Sequence, residues 1–147
     1  MRLPADHLAR PRLVAACEGA AVTLVEAGAG WGKSVLTAQL AAAAVAGGGA
    51  GKVVAVGLRP DADRWIGRLC DQLDAEVLDP QFPVEALIAM LAARGDPTLL
   101  VVDDAHAATP GDAALLAKLA FDLPAPHRLV VATRLIGGLL AAIREHP

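Results

Sequence analysis

The chain has 147 residues, the length of a single domain that buries about 70% of its unfolded surface. Hydrophobic residues make up 55% of the sequence, charged residues 20%, and the formal net charge is −3, which excludes a largely disordered chain. A sequence pI of about 5.7, with no cluster of lysine or arginine, argues against a basic nucleic-acid-binding domain.

Residues 1–20 are interpreted as an N-terminal lead-in segment, followed by the domain core at 21–147. No continuous apolar run follows the first arginine, so no signal peptide is predicted. No segment reaches the roughly 18 apolar residues of a membrane span. Cys17 and Cys70 are too few for a disulfide framework or a zinc site and are expected to be small buried hydrophobes. These features predict a cytoplasmic chain without membrane contact.

Four short apolar runs are predicted as strands. They cover residues 21–25, 53–56, 98–102 and 129–133. Their hydrophobicity is nearly continuous, which is typical of parallel strands that are covered on both faces. Helical patterns lie between the runs, so the sequence predicts a three-layer α/β fold with a mostly parallel sheet.

The helices are predicted from apolar spacing. Their apolar stripes are Leu36 and Leu40; Trp65, Ile66, Leu69, Cys70 and Leu73; Leu87, Ile88 and Leu91; and Leu115, Leu116 and Leu119. Thr109 and Pro110 read as the N-cap and the first residue of the last of these helices. The glycine-rich run 47–51 precedes a strand instead of following one, so it is interpreted as a flexible connection.

The most informative segment follows the first strand directly and opens the first long helix. It consists of Ala27, Gly28, Ala29, Gly30, Trp31, Gly32, Lys33 and Ser34. This context and the terminal Gly-Lys-Ser are those of a Walker A loop, whose backbone N–H groups bind phosphate at a helix N-terminus. We expect Lys33 to reach the β- and γ-phosphates of ATP and the Ser34 hydroxyl to bind Mg²⁺. Ala27 departs from the pattern, because it stands at the usual position of the first glycine.

Two carboxylates end the third predicted strand, which gives it the Walker B form. The strand would deliver Asp103 to the carboxyl edge of the sheet, where open α/β sheets bind ligands. There Asp103 is expected to hold Mg²⁺, and Asp104 to orient or deprotonate an attacking water. The simpler alternative is that both aspartates merely end a strand, since aspartate is common in turns.

Three nearby residues are weaker candidates. Arg134 follows the fourth strand at the same edge and is expected to sense the γ-phosphate, the alternative being a solvated arginine. His106 is interpreted first as a loop residue, with a contact to the metal shell or the loop as the alternative. Trp31 either leans over the nucleotide or packs on a neighbouring element, and the sequence does not choose between them.

With these residues placed, the chain resembles the nucleotide-binding domain of the MalT-like, large LuxR-type regulators, a branch of the STAND class of AAA+-related ATPases. The matching segments are Arg10-Pro11-Arg12-Leu13, the loop at 27–34 that also begins with alanine in the family, Val101-Val102-Asp103-Asp104-Ala105-His106, and 129–134. The acidic stretch with Asp61 and Asp63 is fainter in its likeness. The resemblance covers nearly the whole chain.

The resemblance implies that the fourth strand lies between the two Walker strands, and that a further strand flanks the first strand. No such strand is found in the sequence, so the last strand of the sheet is expected to be missing. Exposed edge strands are usually covered in native folds. The chain is therefore expected to be part of a truncated or split regulator, or to be completed by further domains or subunits. The family's DNA-binding output is not carried over.

The sequence thus predicts a Mg²⁺-ATP-binding switch module whose hydrolysis, if any, is slow. One alternative is a small P-loop kinase acting on a metabolite, although no arginine-rich lid insertion is present. The other alternative is a degenerate interaction module that binds no nucleotide, although Lys33, Ser34, Asp103 and Asp104 are all intact.

Overall fold

A computed structural model describes residues 8–59, 65–74 and 81–134. The strands are β1 (Val22–Glu26), β2 (Lys52–Gly57), β3 (Thr98–Asp103) and β4 (Arg128–Thr133). The helices are α1 (Pro11–Ala16), α2 (Lys33–Ala46), α3 (Trp65–Gln72), α4 (Pro83–Ala93) and α5 (Pro110–Asp122), with a short 3-10 turn at Ala105–Ala107. None of the helices in these described ranges has both the length and the apolar character needed to cross a membrane.

The strands form one parallel sheet in the order β1-β4-β3-β2. All four predicted strands are confirmed, with ends that move by one residue. Strand β4 lies between β1 and β3, as the resemblance implied, with Val101 opposite Val130 and Val25 opposite Ala132. Within the described part of the chain, β1 is an edge strand and no fifth strand is found.

Both faces of the sheet are covered, which confirms the three-layer architecture. Alternate residues of β3 belong to the two sides: Leu100 and Val102 face one core cluster, and Leu99 and Val101 face the other. Helices α3, α4 and α5 pack on the first face, whereas α1 and α2 cover the second. The continuous hydrophobicity of the strands therefore reflects burial on two sides.

Helix α5 begins as its sequence predicts. The Thr109 hydroxyl accepts a hydrogen bond from the Asp112 N–H at 3.1 Å, and the Asp112 carboxylate accepts one from the Thr109 N–H. This is a capping box, which satisfies N–H groups that lack an intrahelical partner. The same carboxylate accepts a hydrogen bond from the indole N–H of buried Trp65 at 3.0 Å, so the cap also ties α3 to α5.

One expectation needs correction. Cys70 is buried as expected, but Cys17 is only half buried because it lies at the margin of the smaller core cluster. Within the lead-in segment, residues 11–16 form the short helix α1, for which no helix was predicted. The acidic stretch with Asp61 and Asp63, and the segment 135–147, lie outside the described residues.

Candidate nucleotide-binding site

The predicted phosphate loop lies at the carboxyl edge of the sheet, between β1 and α2. Its first residue is attached to the neighbouring strand, because the Ala27 N–H donates to the carbonyl oxygen of Thr133 at 3.2 Å. The end of β4 therefore lies beside the start of the loop. In open α/β sheets this edge is where ligands bind.

Two glycines of the loop have left-handed backbone. Gly30 has φ +77° and Gly32 has φ +76°, a region that residues with a Cβ enter at a cost. Gly32 is also the N-cap residue of α2, and no side chain among the described residues caps that helix. The first N–H groups of an α-helix have no intrahelical partner. Those of α2 are therefore suited to bind an anion.

Lys33 turns back onto its own loop. The residue is 8% exposed, and its Nζ donates to the carbonyl oxygens of Ala27 at 2.8 Å and Gly28 at 2.9 Å. The ammonium group thus lies against the loop and not in bulk solvent. A phosphate oxygen would be a stronger partner than these neutral carbonyls, because both members of the pair would be charged.

The two predicted magnesium ligands meet in the structure. The Ser34 hydroxyl donates to Asp103 Oδ2 at 3.0 Å, although the residues are 69 positions apart. The other oxygen, Oδ1, accepts the Asp104 N–H at 2.8 Å. A hydroxyl beside a carboxylate fits Mg²⁺, a hard cation that proteins bind through one or two carboxylates together with substrate phosphates. The described residues include no group of three or more His, Cys, Asp or Glu side chains that could hold a metal alone.

Asp104 begins a sharp change of chain direction after β3. Its φ is +55°, in the left-handed region that aspartate tolerates better than most residues. The side chain is 51% exposed, and His106 Nδ1 lies 3.9 Å from its Oδ1, beyond hydrogen-bond distance. Asp104 is therefore accessible to water at the same edge as Asp103, and His106 is its neighbour.

Arg134 and Trp31 remain accessible at this edge. Arg134 is exposed and directly follows Thr133, which pairs with Glu26, the last residue of β1 before the loop. Trp31 is 72% exposed, and its indole leans against Gly28, where an added Cβ would lie 3.3 Å from the ring. The indole thus contacts its own loop, which the sequence analysis did not anticipate.

Two residues at the site were missed as contributors. The guanidinium of Arg10 donates to the carbonyl oxygen of Trp31 at 3.0 Å, and the Gln39 side chain binds the backbone of the lead-in segment. Arg10 was noticed only as part of a family-like segment, without a role. Nothing in the periodicity of α2 distinguishes Gln39, because its partners lie about 30 residues away in sequence.

No family model and no curated protein sequence matches the chain. Several solved structures match the chain. Cdc6p from Pyrobaculum aerophilum has a TM-score of 0.63 at 19% identity, over 85% of this chain and 37% of that one. Aeropyrum pernix ORC1, in complex with DNA, has a TM-score of 0.67 at 19% identity, over 90% and 41%. Drosophila ORC bound to AT-rich DNA and Cdc6 has a TM-score of 0.58 at 18% identity, over 90% and 49%.

The fold, a four-stranded parallel sheet between helical layers, is therefore similar to that of the matched parts of the Cdc6 and ORC1 structures. The chain spans less than half the length of these structures. At identities below 20% the similarity shows the fold alone, since one fold can host many functions.

Proposed function

We propose that the chain is a Mg²⁺-ATP-binding P-loop module in which the nucleotide acts as a switch. The observation that carries this proposal is the 3.0 Å contact between Ser34 and Asp103, which joins the phosphate loop to the end of β3. An ordinary glycine-containing turn does not require a hydroxyl and a carboxylate to lie together beside an uncapped helix N-terminus, whereas a Mg²⁺-phosphate site does.

In this proposal the loop and the start of α2 cradle the phosphates with backbone N–H groups. Lys33 exchanges its contacts with Ala27 and Gly28 for the β- and γ-phosphates. Ser34 and Asp103 hold Mg²⁺, which neutralises charge on the phosphates.

Hydrolysis is proposed to be slow. Asp104 is solvent-accessible and would accept a proton from an attacking water or orient it. Arg134 lies one residue beyond the end of β4 and would respond to the γ-phosphate. A nucleotide shifts a conformational equilibrium only through its different affinities for the two states. The proposed output is such a shift, with turnover serving to reset it.

The biological setting proposed is that of a MalT-like, large LuxR-type regulator, on the strength of the sequence resemblance. Further domains or subunits would complete the sheet beside β1, the edge strand of the described residues. Direct contact with DNA is not proposed for this chain, because its net charge of −3 disfavours phosphate-backbone binding.

The proposal is tested by titrating the purified chain with ATP, with and without Mg²⁺, in a calorimeter. We expect saturable binding that Lys33→Ala weakens by about 10- to 150-fold, since hydrogen bonds to charged groups contribute about 1.5–3 kcal/mol. Exposed Trp31 supplies an independent fluorescence signal over the background of buried Trp65.

The matched control is Lys52→Ala, which removes the same charge at the start of β2, where Lys52 pairs with Asp74. It should leave the ATP affinity within about twofold, because Lys52 begins its strand and so lies at the edge of the parallel sheet opposite the phosphate loop. Equal ATP binding by Lys33→Ala and the wild-type chain, or no binding by a folded wild-type chain, would overturn the proposed function.

A further inference from the structure

An arginine from the lead-in segment reaches the phosphate loop. Arg10 Nη2 donates to the carbonyl oxygen of Trp31 at 3.0 Å, and Nη1 donates to that of Gly32 at 3.4 Å. The contact is close: a Cβ added to Gly32 would lie 2.7 Å from Arg10 Nη2. Gly32 is thus required both for its left-handed φ of +76° and for the approach of the guanidinium.

The backbone that carries Arg10 is itself held on α2. Gln39 is buried, with 8% exposure. Its Oε1 accepts the Arg10 N–H at 3.2 Å, and its Nε2 donates to the Leu8 carbonyl at 2.7 Å. One side-chain amide therefore binds the backbone of the lead-in segment on both sides of Ala9. Because α2 begins at the phosphate loop, the arginine and the loop are attached to the same helix.

The contact between Arg10 and the loop fixes the direction of two backbone N–H groups. A trans peptide unit is planar, so its C=O and its N–H point in opposite directions. Arg10 binds the carbonyls of Trp31 and Gly32, which belong to the same peptide units as the N–H groups of Gly32 and Lys33. Holding these carbonyls therefore directs both N–H groups away from the guanidinium.

A second bond constrains the same unit. The Gly32 carbonyl also accepts the Leu36 N–H at 3.0 Å, the first hydrogen bond of α2. The Trp31 carbonyl has no such helical bond, since it precedes the N-cap. Among the described residues, Arg10 is therefore the group that orients the Trp31–Gly32 peptide, at the point where the loop enters the helix.

We propose that Arg10 is a positioning residue of the phosphate loop, which aims the N–H groups of Gly32 and Lys33 at the phosphates of a bound nucleotide. This inference rests on the proposed function. It makes the lead-in segment part of the nucleotide site, with Gln39 as its anchor. Preorganised donors avoid the cost of ordering on binding, so loss of Arg10 should weaken the binding of phosphate groups specifically.

The test compares Arg10→Gln with Arg12→Gln, which removes the same charge from an exposed position two residues away. Affinities for ATP and for inorganic tripolyphosphate are measured by calorimetry, on chains whose folding is checked by circular dichroism. We expect Arg10→Gln to weaken both ligands by a similar factor of about 5–30, or about 1–2 kcal/mol. This loss is smaller than that for Lys33→Ala, because Arg10 acts on the phosphates only through the loop backbone. Arg10→Lys should recover part of the loss, and Arg12→Gln should change neither affinity by more than about twofold.

A second variant tests the anchor. Gln39→Leu leaves Arg10 in place but frees its backbone, and should weaken both ligands less than Arg10→Gln. The double variant should bind no more weakly than Arg10→Gln alone, because groups in one network have non-additive effects. Additive losses would show that Gln39 does not act through Arg10.

The outcomes distinguish failure of the positioning role of Arg10 from failure of the proposed function. Wild-type-like binding of both ligands by Arg10→Gln overturns the positioning role while leaving the nucleotide site intact. A loss for ATP with unchanged tripolyphosphate binding overturns it too, since Arg10 would then serve the nucleoside part. Absence of ATP binding by the folded wild-type chain overturns the proposed function itself, and the positioning role with it.

Discussion

The two edges of the sheet use polar side chains in opposite ways. At the amino edge, His127 is 2% exposed; its Nδ1 accepts the Thr98 N–H at 3.1 Å and its Nε2 donates to the Leu91 carbonyl at 2.7 Å. Arg128 next to it donates to the carbonyls of Ala20 and Cys17. These hydrogen bonds connect β3, β4, α4 and the lead-in segment, and they are made within the protein.

At the carboxyl edge, Arg10 and Lys33 also donate to carbonyl oxygens, but the groups around them are accessible to solvent. Ser34 is exposed, the Asp104 side chain is 51% exposed, and the chain turns through left-handed backbone at Gly32 and Asp104. Buried polar groups that are fully paired stabilise a single arrangement, whereas accessible groups can exchange partners with a ligand. The comparison therefore assigns stability to the amino edge and binding to the carboxyl edge.

The largest expected effect in this comparison is on the free energy of unfolding, from His127→Leu. The Leu91 carbonyl would keep a hydrogen bond from the Arg94 N–H, but the buried Thr98 N–H would lose its partner. An unpaired buried donor costs about 1–3 kcal/mol. Urea unfolding should show a loss of that size, with ATP affinity unchanged for the folded fraction.

The control is His106→Leu at the opposite edge. His106 is solvent-accessible and makes no contact shorter than 3.9 Å with Asp104, so its removal should change the free energy of unfolding by less than about 0.5 kcal/mol. Equal destabilisation by the two substitutions would refute the division between the edges.

A somewhat smaller effect is expected from Asp103→Asn, on ligand binding instead of stability. The amide can keep both contacts, because its oxygen can accept the Asp104 N–H and its N–H can donate to the Ser34 hydroxyl oxygen. The negative charge that attracts Mg²⁺ is lost. We expect ATP affinity in the presence of Mg²⁺ to fall about tenfold, or about 1.4 kcal/mol. In EDTA the variant should bind ATP at least as tightly as the wild-type chain, because it no longer presents a negative charge to the phosphates.

Asp96→Asn provides the matched control for that measurement. Asp96 is exposed and lies just before β3, at the other end of the strand that Asp103 terminates. Its substitution should leave the Mg²⁺ dependence as it is in the wild-type chain. A similar loss in both variants would mean that general negative charge, and not the Ser34–Asp103 pair, sets the effect.

The smallest effect concerns an exposed pair at the amino edge. The hydrogen bond from Lys52 to Asp74, and then the charge of Lys52, lower the pKa of the Asp74 carboxyl. A lowered folded-state pKa adds stability above the unfolded-state value of about 3.9. That contribution is lost as the pH falls through the folded-state pKa. Asp74→Asn should remove a slight part of the acid-induced loss of stability. Urea unfolding between about pH 5 and pH 3, a range around the ordinary aspartate pKa of about 3.9, measures this.

Near neutral pH, the difference in free energy of unfolding between the two chains should not vary with pH. The reason is that the carboxyl is ionised there in both the folded and the unfolded wild-type chain. A pH-dependent difference centred near pH 6, or about two units above the ordinary aspartate value, would point to another titrating group. A large loss of stability for His127→Leu and a slight one for Asp74→Asn would show that burial, and not location at the amino edge, sets the size of the effect.

Much of the candidate site was predictable because its signals are local. The Gly-Lys-Ser sequence, the strand before it and the helix after it are adjacent in the chain, and the two aspartates directly follow an apolar run. Parallel strands bring their carboxyl ends to one edge, so the convergence of Ser34 and Asp103 could be expected. The roles of the site residues remain predictions, since they depend on ligands.

Arg10, Gln39 and His127 could not be assigned in this way. Each makes its polar contacts with backbone groups 21 to 36 positions away, and backbone acceptors leave no mark in the sequence. The half-burial of Cys17 likewise depends on how far α1 extends over the sheet, which local hydrophobicity does not encode.

By itself, the sequence determined the alternation of strands and helices, the position of the phosphate loop and the two acidic residues after β3. Periodicity and turn chemistry act over a few residues, so they can be read along the chain. The position of β4 between β1 and β3 was implied by the family resemblance, not by the local pattern, and the structure confirms it. Only the tertiary structure decided that His127 is a buried hub and that the lead-in segment reaches the loop through Arg10. Strand order and side-chain contacts with distant backbone depend on which surfaces pack together in three dimensions.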